Sequence, residues 1–436
     1  MQAVNIGILG LGTVGGGTAQ VLQDNAAEIS RRLGREVRVT AVCTRNTVRA
    51  RQLCPQAAVV TEPTELVQRD DVDIVVELYG GTEIAKDAVL QAIENGKHIV
   101  TANKKLLAEY GNEIFPLAEE KNVMVQFEAA VAGGIPIIIA LREGLAANRI
   151  RSIAGIINGT SNFILSEMRE KGSAFADVLK EAQALGYAEA DPTFDIEGND
   201  AGHKITIMSA LAFGTPMNFP ACYLEGISKL DSRDIKYAEE LGYRIKLLGI
   251  TRKTDKGIEL RVHPTLIPES RLLANVNGVM NAVQIQGNAI GNSLYYGPGA
   301  GKLPTASAVV ADLIDVVREL NLKGEDRLAE FGYSEVHDRN SLPVLPADAF
   351  RSAYYLRLTV ADRAGVLADI TRILADNGIS INSVSQKNHR KHNDHIPLVL
   401  LTETVSEAQM NRACEQLAAL PAVSGAVKRI RVENFA

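Results

Sequence analysis

Cysteine is scarce in this chain. Cys43, Cys54, Cys222 and Cys414 lie far apart, with no C-x-x-C pair and no base motif beside a thiol, so thiol chemistry has no foothold and structural free thiols are expected. Long apolar runs are missing as well, and no stretch approaches a transmembrane span. The opening Met1-Gln2-Ala3-Val4-Asn5 passes straight into a strand pattern without the basic, apolar and cleavage regions of a leader, so a cytoplasmic protein with no membrane partner is expected. Neither sign of charge dominates: a net charge of −6 gives no reason to expect nucleic acid or an acidic membrane as partner. His389, His392 and His395 are evenly spaced, but in a polar, charged segment that reads as a solvated loop rather than a metal site. What the chain does have is aliphatic bulk. Its 436 residues, 46% of them hydrophobic, can bury large cores and suggest two or three domains.

Residues Val4 to Gly17 pair a short buried-strand pattern with Gly10-x-Gly12-x-x-Gly15. The motif follows a strand, opens a helical segment expected over Thr18 to Ile29, and is followed by a second strand over Glu36 to Thr44. That context suits a dinucleotide, because glycines let the backbone turn tightly and approach a pyrophosphate at the positive end of a helix. Where an acidic residue would accept ribose hydroxyls at the end of the second strand, this chain has Val42-Cys43-Thr44-Arg45-Asn46, with Arg49 and Arg51 behind. A guanidinium matches a 2′-phosphate in charge and fork geometry, so NADP is the expected cofactor. Use of NAD as well stays open.

Strands continue at Asp73 to Leu78, Lys97 to Thr101 and Val123 to Phe127, with a helix over Ile84 to Asn95 between the first two. This alternation predicts an α/β Rossmann-type doubly wound parallel sheet with ligands at the carboxyl ends of its strands, where Lys104 falls. From Glu128 the pattern changes. A helix over Ile137 to Leu145 and strands near Arg151 to Ile157, Leu247 to Thr251 and Glu259 to Leu266 suggest an inserted α+β domain for substrate and for a subunit interface. A glycine-rich turn, Tyr295 to Gly301, leads into a helix over Ala306 to Leu320 that returns to the nucleotide domain. The expected division is residues 1–128 plus 304–322, residues 129–303, a polar linker at 323–350, and a final unit at 351–436. That final unit reads βαββαβ, the ferredoxin-like order, with Ser406-x-x-Gln409 as a capping box.

The run from Gly186 to Lys204 carries Glu189, Asp191, Asp195, Glu197 and Asp200 before its lysine. Helical spacing of Ile205, Ile207, Met208 and Leu211 puts Asp200 and Lys204 on one face of the first turns of a helix, a carboxylate and an ammonium aimed at one spot. The plain alternative is an i, i+4 ion pair at a helix start. Gly186, Asp191-Pro192 and Gly198 instead punctuate the stretch like a loop lining a site.

Ala182-x-x-x-Gly186-Tyr187-Ala188-x-x-Asp191-Pro192-x-x-Asp195-Ile196-x-Gly198-x-Asp200-x-x-x-Lys204 resembles the homoserine dehydrogenase signature at every fixed position, and the resemblance spans essentially the whole chain. Asp362 to Leu367 and Gly378 to Ile381 resemble an ACT domain. The resemblance implies interconversion of L-aspartate 4-semialdehyde and L-homoserine with NAD(P)H, in the branch leading to threonine, methionine and isoleucine. It implies Lys204 as the catalytic residue, Glu189 and Asp200 on the substrate, and Thr13, Val14, Lys104, Gly186 and Gly301 near the cofactor. It further implies a sodium ion on Glu128 and the carbonyls of Val131, Gly133 and Ile135, a homo-oligomer (dimer or tetramer), and threonine as effector near the quoted ACT segments. No aspartokinase segment precedes the nucleotide domain, so a monofunctional enzyme is expected. Removing residues 351–436 is expected to spare activity and abolish inhibition. Two rivals remain: a dehydrogenase for another amino-acid semialdehyde or ketone, told apart by its carbonyl substrate, and a non-catalytic amino-acid sensor, which would bind effector without hydride transfer.

Overall fold

Short β-branched runs build the first sheet. The computed structural model describes residues 3–322, 327, 329, 331–333, 342–386 and 395–435. In it β1 (Val4–Leu9), β2 (Val37–Cys43), β3 (Ala58–Val60), β4 (Ile74–Glu77), β5 (His98–Thr101) and β6 (Val125–Gln126) form a six-stranded sheet ordered β3-β2-β1-β4-β5-β6. Every pairing is parallel. Strands β4 and β5 are buried throughout, as helices on both faces require. The strand order reverses between β1 and β4, which opens a crevice at their carboxyl ends.

The first helix departs from expectation. It begins at Thr13, inside the glycine motif, and ends at Asp24, with a second helix over Ala26–Leu33. Its Gly17 is buried against the helix Lys302–Glu319: a Cβ there would lie 2.7 Å from the Lys302 carbonyl oxygen. That later helix starts at Lys302 rather than Ala306, with Pro304 tolerated in its first turn, and its Val309, Leu313, Val316 and Val317 share a core with Ile6, Ile8 and Leu22. Strand β6 is shorter than expected because it pairs only with β5 and Phe127 already leads into the turn Glu128–Ala130. The helix expected over Ile137 to Leu145 is a single α turn, Ile137–Ile139, continued as a π turn, Ala140–Gly144.

The second sheet contains β7 (Ile150–Ile156), β9 (Tyr243–Thr254), β10 (Gly257–Pro268), β11 (Met280–Gly287) and β12 (Gly291–Pro298), with β8 (Tyr223–Leu224) beside β10. Tyr295 to Pro298, expected in a turn, pair with β11 as the end of β12. The carboxy-terminal unit has β13 (Arg351–Ala361), the helix Val366–Asp376, β14 (Ile381–Gln386), β15 (His395–Thr402), the short β16 (Val405–Ser406), the helix Glu407–Ala418 and β17 (Val423–Val432). Ser406 and Gln409 form the expected reciprocal cap. Residues 387–394, with His389 and His392, and most of 323–341 lie outside the described residues.

The two units share one sheet. Strand β10 pairs in parallel with β17 through Thr265 and Leu266 against Arg431 and Val432, giving the order β12-β11-β7-β9-β10-β17-β13-β15-β14. Val344 adds a parallel bridge to Ile258, so the end of the linker segment is fastened along β10. Charged side chains staple the seam. Glu433 accepts from Arg261 at 2.7 Å and from Arg252 at 2.8 Å, Asp234 accepts from Arg357 at 2.9 Å and from Tyr355 at 2.9 Å, and Arg431 reaches both Glu225 and Glu407 at 2.6 Å. Arg261 and Arg431 are almost completely buried. Removing residues 351–436 would break these ion pairs and uncover Arg261 and the edge of β10.

Candidate active site

Strand β7 ends at Ile156, and Asn158 caps the helix Gly159–Lys171 by accepting from the Ser161 amide. Strand β5 ends at Thr101, and Asn103 caps the helix Lys104–Glu120, placing Lys104 in its first turn. A third helix, Asn199–Phe213, begins after Gly198, whose φ of +88° is the left-handed conformation that glycine tolerates. These three starts converge on one carboxylate.

Asp200 is 3% exposed. Its Oδ2 accepts from Lys204 Nζ at 2.8 Å and from Asn158 Nδ2 at 2.8 Å, while its Oδ1 lies 3.0 Å from Lys104 Nζ. Lys204 Nζ also donates to the Ile157 carbonyl at 2.7 Å. Asn158 Nδ2 donates in addition to Asp195 Oδ1 at 2.7 Å, so one amide group ties two acids together.

Burial alone would raise the Asp200 carboxyl, but Lys204 and Lys104 outweigh it and hold the group well below the usual carboxylate range. Burial lowers the Lys204 ammonium from its ordinary value, with Asp200 opposing. The charge of Asp200 raises Lys104, whose side chain is a third exposed. Asp195 is raised by burial and by its neighbour Asp200. The centre therefore holds a fixed carboxylate, a firmly charged outer ammonium and an inner ammonium made more acidic. An ammonium has three donors, and Lys204 spends two of them, leaving one for a developing oxyanion.

Glu189 stands exposed in the loop before this helix, near enough for its charge to act on Lys104. Gly186, at φ +75°, closes the preceding helix and has open space where a Cβ would be. His203 lies buried beside Phe219 and Phe194, with neither ring nitrogen hydrogen-bonded, and burial lowers its pKa to about 4.

The glycine motif sits at the crevice. Gly10 has φ +93°, and a Cβ there would strike the Leu78 carbonyl at 2.6 Å; one on Gly15 would fall 2.0 Å from the Gly10 oxygen. Around Gly12 there is open space at the start of the helix carrying Thr13 and Val14, whose first-turn amides have no partner within the helix. Arg45 is exposed beyond β2, and Arg49 Nη2 reaches the Gly12 carbonyl at 3.4 Å. Gly301, at φ +130°, caps the helix Lys302–Glu319 beside Gly17.

Glu128 is buried, its Oε1 and Oε2 accepting from the Ile138 and Ile139 amides at 2.9 and 2.8 Å. Ala132 and Gly133, at φ +54° and +39°, curl the loop through Val131, Gly133 and Ile135 so that Gly134 donates to the Pro298 carbonyl. Among the described residues no group of three or more His, Cys, Asp and Glu side chains is placed to hold a metal.

The structure thus gathers Lys104, Asp200 and Lys204 within contact, with the charge of Glu189 felt at Lys104, while Arg45 stands exposed after β2 and Gly301 opens the helix Lys302–Glu319. Sequence reasoning missed Asn158, assigned no role to Asp195 and ranked Arg49 behind Arg45. The available signal for Asn158 was a cap residue between a strand and Gly159-Thr160-Ser161.

Known proteins share this sequence and architecture. Residues 10–128 match the model for the homoserine dehydrogenase NAD-binding domain, residues 136–314 the model for homoserine dehydrogenase, and residues 354–422 the ACT domain. The homoserine dehydrogenase of Neisseria gonorrhoeae is 68% identical over the whole of both chains. A crystal structure of a homoserine dehydrogenase from Thiobacillus denitrificans superposes with a TM-score of 0.95 at 59% identity, covering 100% of this chain and 99% of that one. A hyperthermophilic archaeal homoserine dehydrogenase in complex with NADPH covers 72% of this chain and 98% of its own, at 31% identity and a TM-score of 0.62. With its nucleotide-binding, catalytic and ACT portions all matched, the chain belongs to the homoserine dehydrogenase family.

Proposed function

We propose that the chain reduces L-aspartate 4-semialdehyde to L-homoserine, and runs the reverse oxidation, with Lys204 as the proton-transferring residue. The bound nicotinamide cofactor supplies or accepts the hydride. Lys204 turns its remaining N–H toward the aldehyde oxygen, stabilises the charge that develops there and donates the proton. Asp200 keeps that ammonium oriented and takes the substrate hydroxyl as a second acceptor. Glu189 pairs with the substrate α-ammonium at the rim, and Lys104 supplies a second positive charge between substrate and cofactor. The observation that carries this reading is the buried Lys204 ammonium held by Asp200 and Ile157 at 2.8 and 2.7 Å.

Gly10, Gly12, Thr13, Val14 and Gly15 take the pyrophosphate, Gly186 and Gly301 admit the rest of the cofactor, and Arg45 with Arg49 favours the 2′-phosphate of NADP. Glu128 and the Val131, Gly133 and Ile135 carbonyls fit a sodium ion. Each Glu128 oxygen keeps a lone pair beyond its amide bond, and one carboxylate with three carbonyls suits a hard monovalent cation. Such an ion would brace the loop against Pro298 and Gly299. Residues 1–128 with 304–322, 129–303 and 351–436 act as nucleotide, substrate and regulatory portions. Threonine is the effector, acting on a homo-oligomer through residues 362–367 and 378–381.

The test is NADPH oxidation with L-aspartate 4-semialdehyde. Lys204→Ala is expected to lose about 10²–10⁴-fold in kcat while retaining cofactor binding. A rate that survives the substitution would remove Lys204 from the chemistry, and no wild-type rate would turn attention to another carbonyl substrate.

A further inference from the structure

An open cleft of about 660 Å³ lies where the ACT portion meets the catalytic portion. One wall is the helix Glu407–Ala418 with Lys428 to Ile430 of β17, and the other is the segment from Tyr223 to Leu230 together with Glu197. None of residues 362–367 or 378–381 lines it.

Apart from the exposed Lys229 and Glu415 at its mouth and Asp234, which pairs with Arg357, its charges fall into two sets. Glu225 is committed to Arg431 and Tyr223, and Arg429 to Glu407. Glu197 and Lys428, by contrast, are half-buried on opposite walls, and among the described residues neither side chain has an ion pair or a hydrogen bond. A half-buried charge gives up part of its hydration, and unspent charges of opposite sign across one cleft match a ligand that carries both signs.

The catalytic-side wall is also the support of the acid loop. Glu197 lies between Asp195 and Asp200. Ile227 donates from its backbone to the Ile196 carbonyl at 2.8 Å, and a Cβ on Gly226 would fall 2.4 Å from both Glu197 Oε2 and the Ile196 oxygen. With no slack between these segments, a displacement of Glu197 is passed to Ile196 and Gly198, the residues that position Asp195 and the helix start at Asp200.

We propose that this cleft is a second effector site, which binds a free α-amino acid with its ammonium group on Glu197 and its carboxylate on Lys428, and that occupancy changes turnover through the loop 195–200. The regulatory readout rests on the dehydrogenase reading above, whereas the binding itself does not.

The experiment uses the full-length protein with L-threonine, L-isoleucine and L-methionine as probes, measured by calorimetric titration and by the rate of NADPH oxidation with L-aspartate 4-semialdehyde. Lys428→Ala is expected to weaken binding of the responsive amino acid at least tenfold and to leave the rate without effector unchanged. Glu197→Gln is expected to weaken it similarly, and Asp362→Ala to leave affinity in the cleft intact. Unchanged affinity in both cleft variants, loss of all binding in Asp362→Ala alone, or no binding of any probe at millimolar concentration would overturn the proposal. Binding that depends on Lys428 in a protein with no hydride transfer would support the cleft site and refute the enzymatic reading.

Discussion

Lys204 and Lys104 touch the same carboxylate, yet burial gives them different work. The outer lysine stays charged, and the inner one is driven toward releasing its proton. Reduction of the aldehyde needs charged Lys204, so its rate should fall as pH rises through the Lys204 pKa, which lies below the ordinary 10.5; oxidation of homoserine needs the neutral amine and should rise over the same range. Asp200→Asn removes the charge that opposes this lowering, so both limbs should move to lower pH, as pH–rate profiles in the two directions would reveal. Asn158→Ala takes a donor from Asp195 and Asp200 together. A hydrogen bond to a charged group contributes about 1.5–3 kcal/mol, so a loss of roughly ten- to a hundredfold in kcat is expected, with the acid limb of the profile displaced upward. A merely structural fault would lower kcat without that displacement. The pair Asp200 and Lys204 was legible in the sequence because helical periodicity fixes neighbours one turn apart. Asn158 was not, because its partners lie 37 and 42 residues away and only the fold brings them together.

Elements show the same division between local and distant information. Strands β1, β2, β4 and β5 were readable as short buried runs, and the βαββαβ order of the last unit followed from alternation and helical spacing. The parallel pairing of β10 with β17 was not, since nothing local to either strand names its neighbour. Burial of Arg261 and Arg431 follows from that pairing, although isolated arginines in a sequence suggest surface positions. Glu433→Ala would leave buried Arg261 with Glu259 at 3.0 Å but without its closer partner, and should destabilise the protein in denaturant unfolding by less than the roughly 3–5 kcal/mol of a fully unpaired buried charge. Glu36→Ala, which removes the exposed pair with Arg38, should cost less than about 1 kcal/mol in the same assay.

At the scale of the whole molecule, buried histidines set a limit on acid tolerance. His98 accepts from the Met124 amide through Nδ1, and His98 and His203 are each lowered by burial from 6.5 to about 4. The unfolded chain therefore binds more protons between those values. Stability should fall as pH drops from about 6.5 toward 4, by up to about 3 kcal/mol for each histidine, and His203→Gln should flatten part of that slope in thermal unfolding. Truncation before residue 351 should lower the melting temperature and promote association, because it uncovers the edge of β10 along with the charges of the seam.

The position of β17 also bears on how the chain is made. In sequence it follows every other strand described, yet in the sheet it sits between β10 and β13, with the whole catalytic sheet on one side and the rest of the ACT portion on the other. During synthesis these two halves must wait, each with an open edge, until the strand that separates and joins them emerges. A ribosome that stalls before residue 423 releases a product whose two parts keep side-chain contacts such as Asp234 with Arg357 but lack the strand that makes them one sheet.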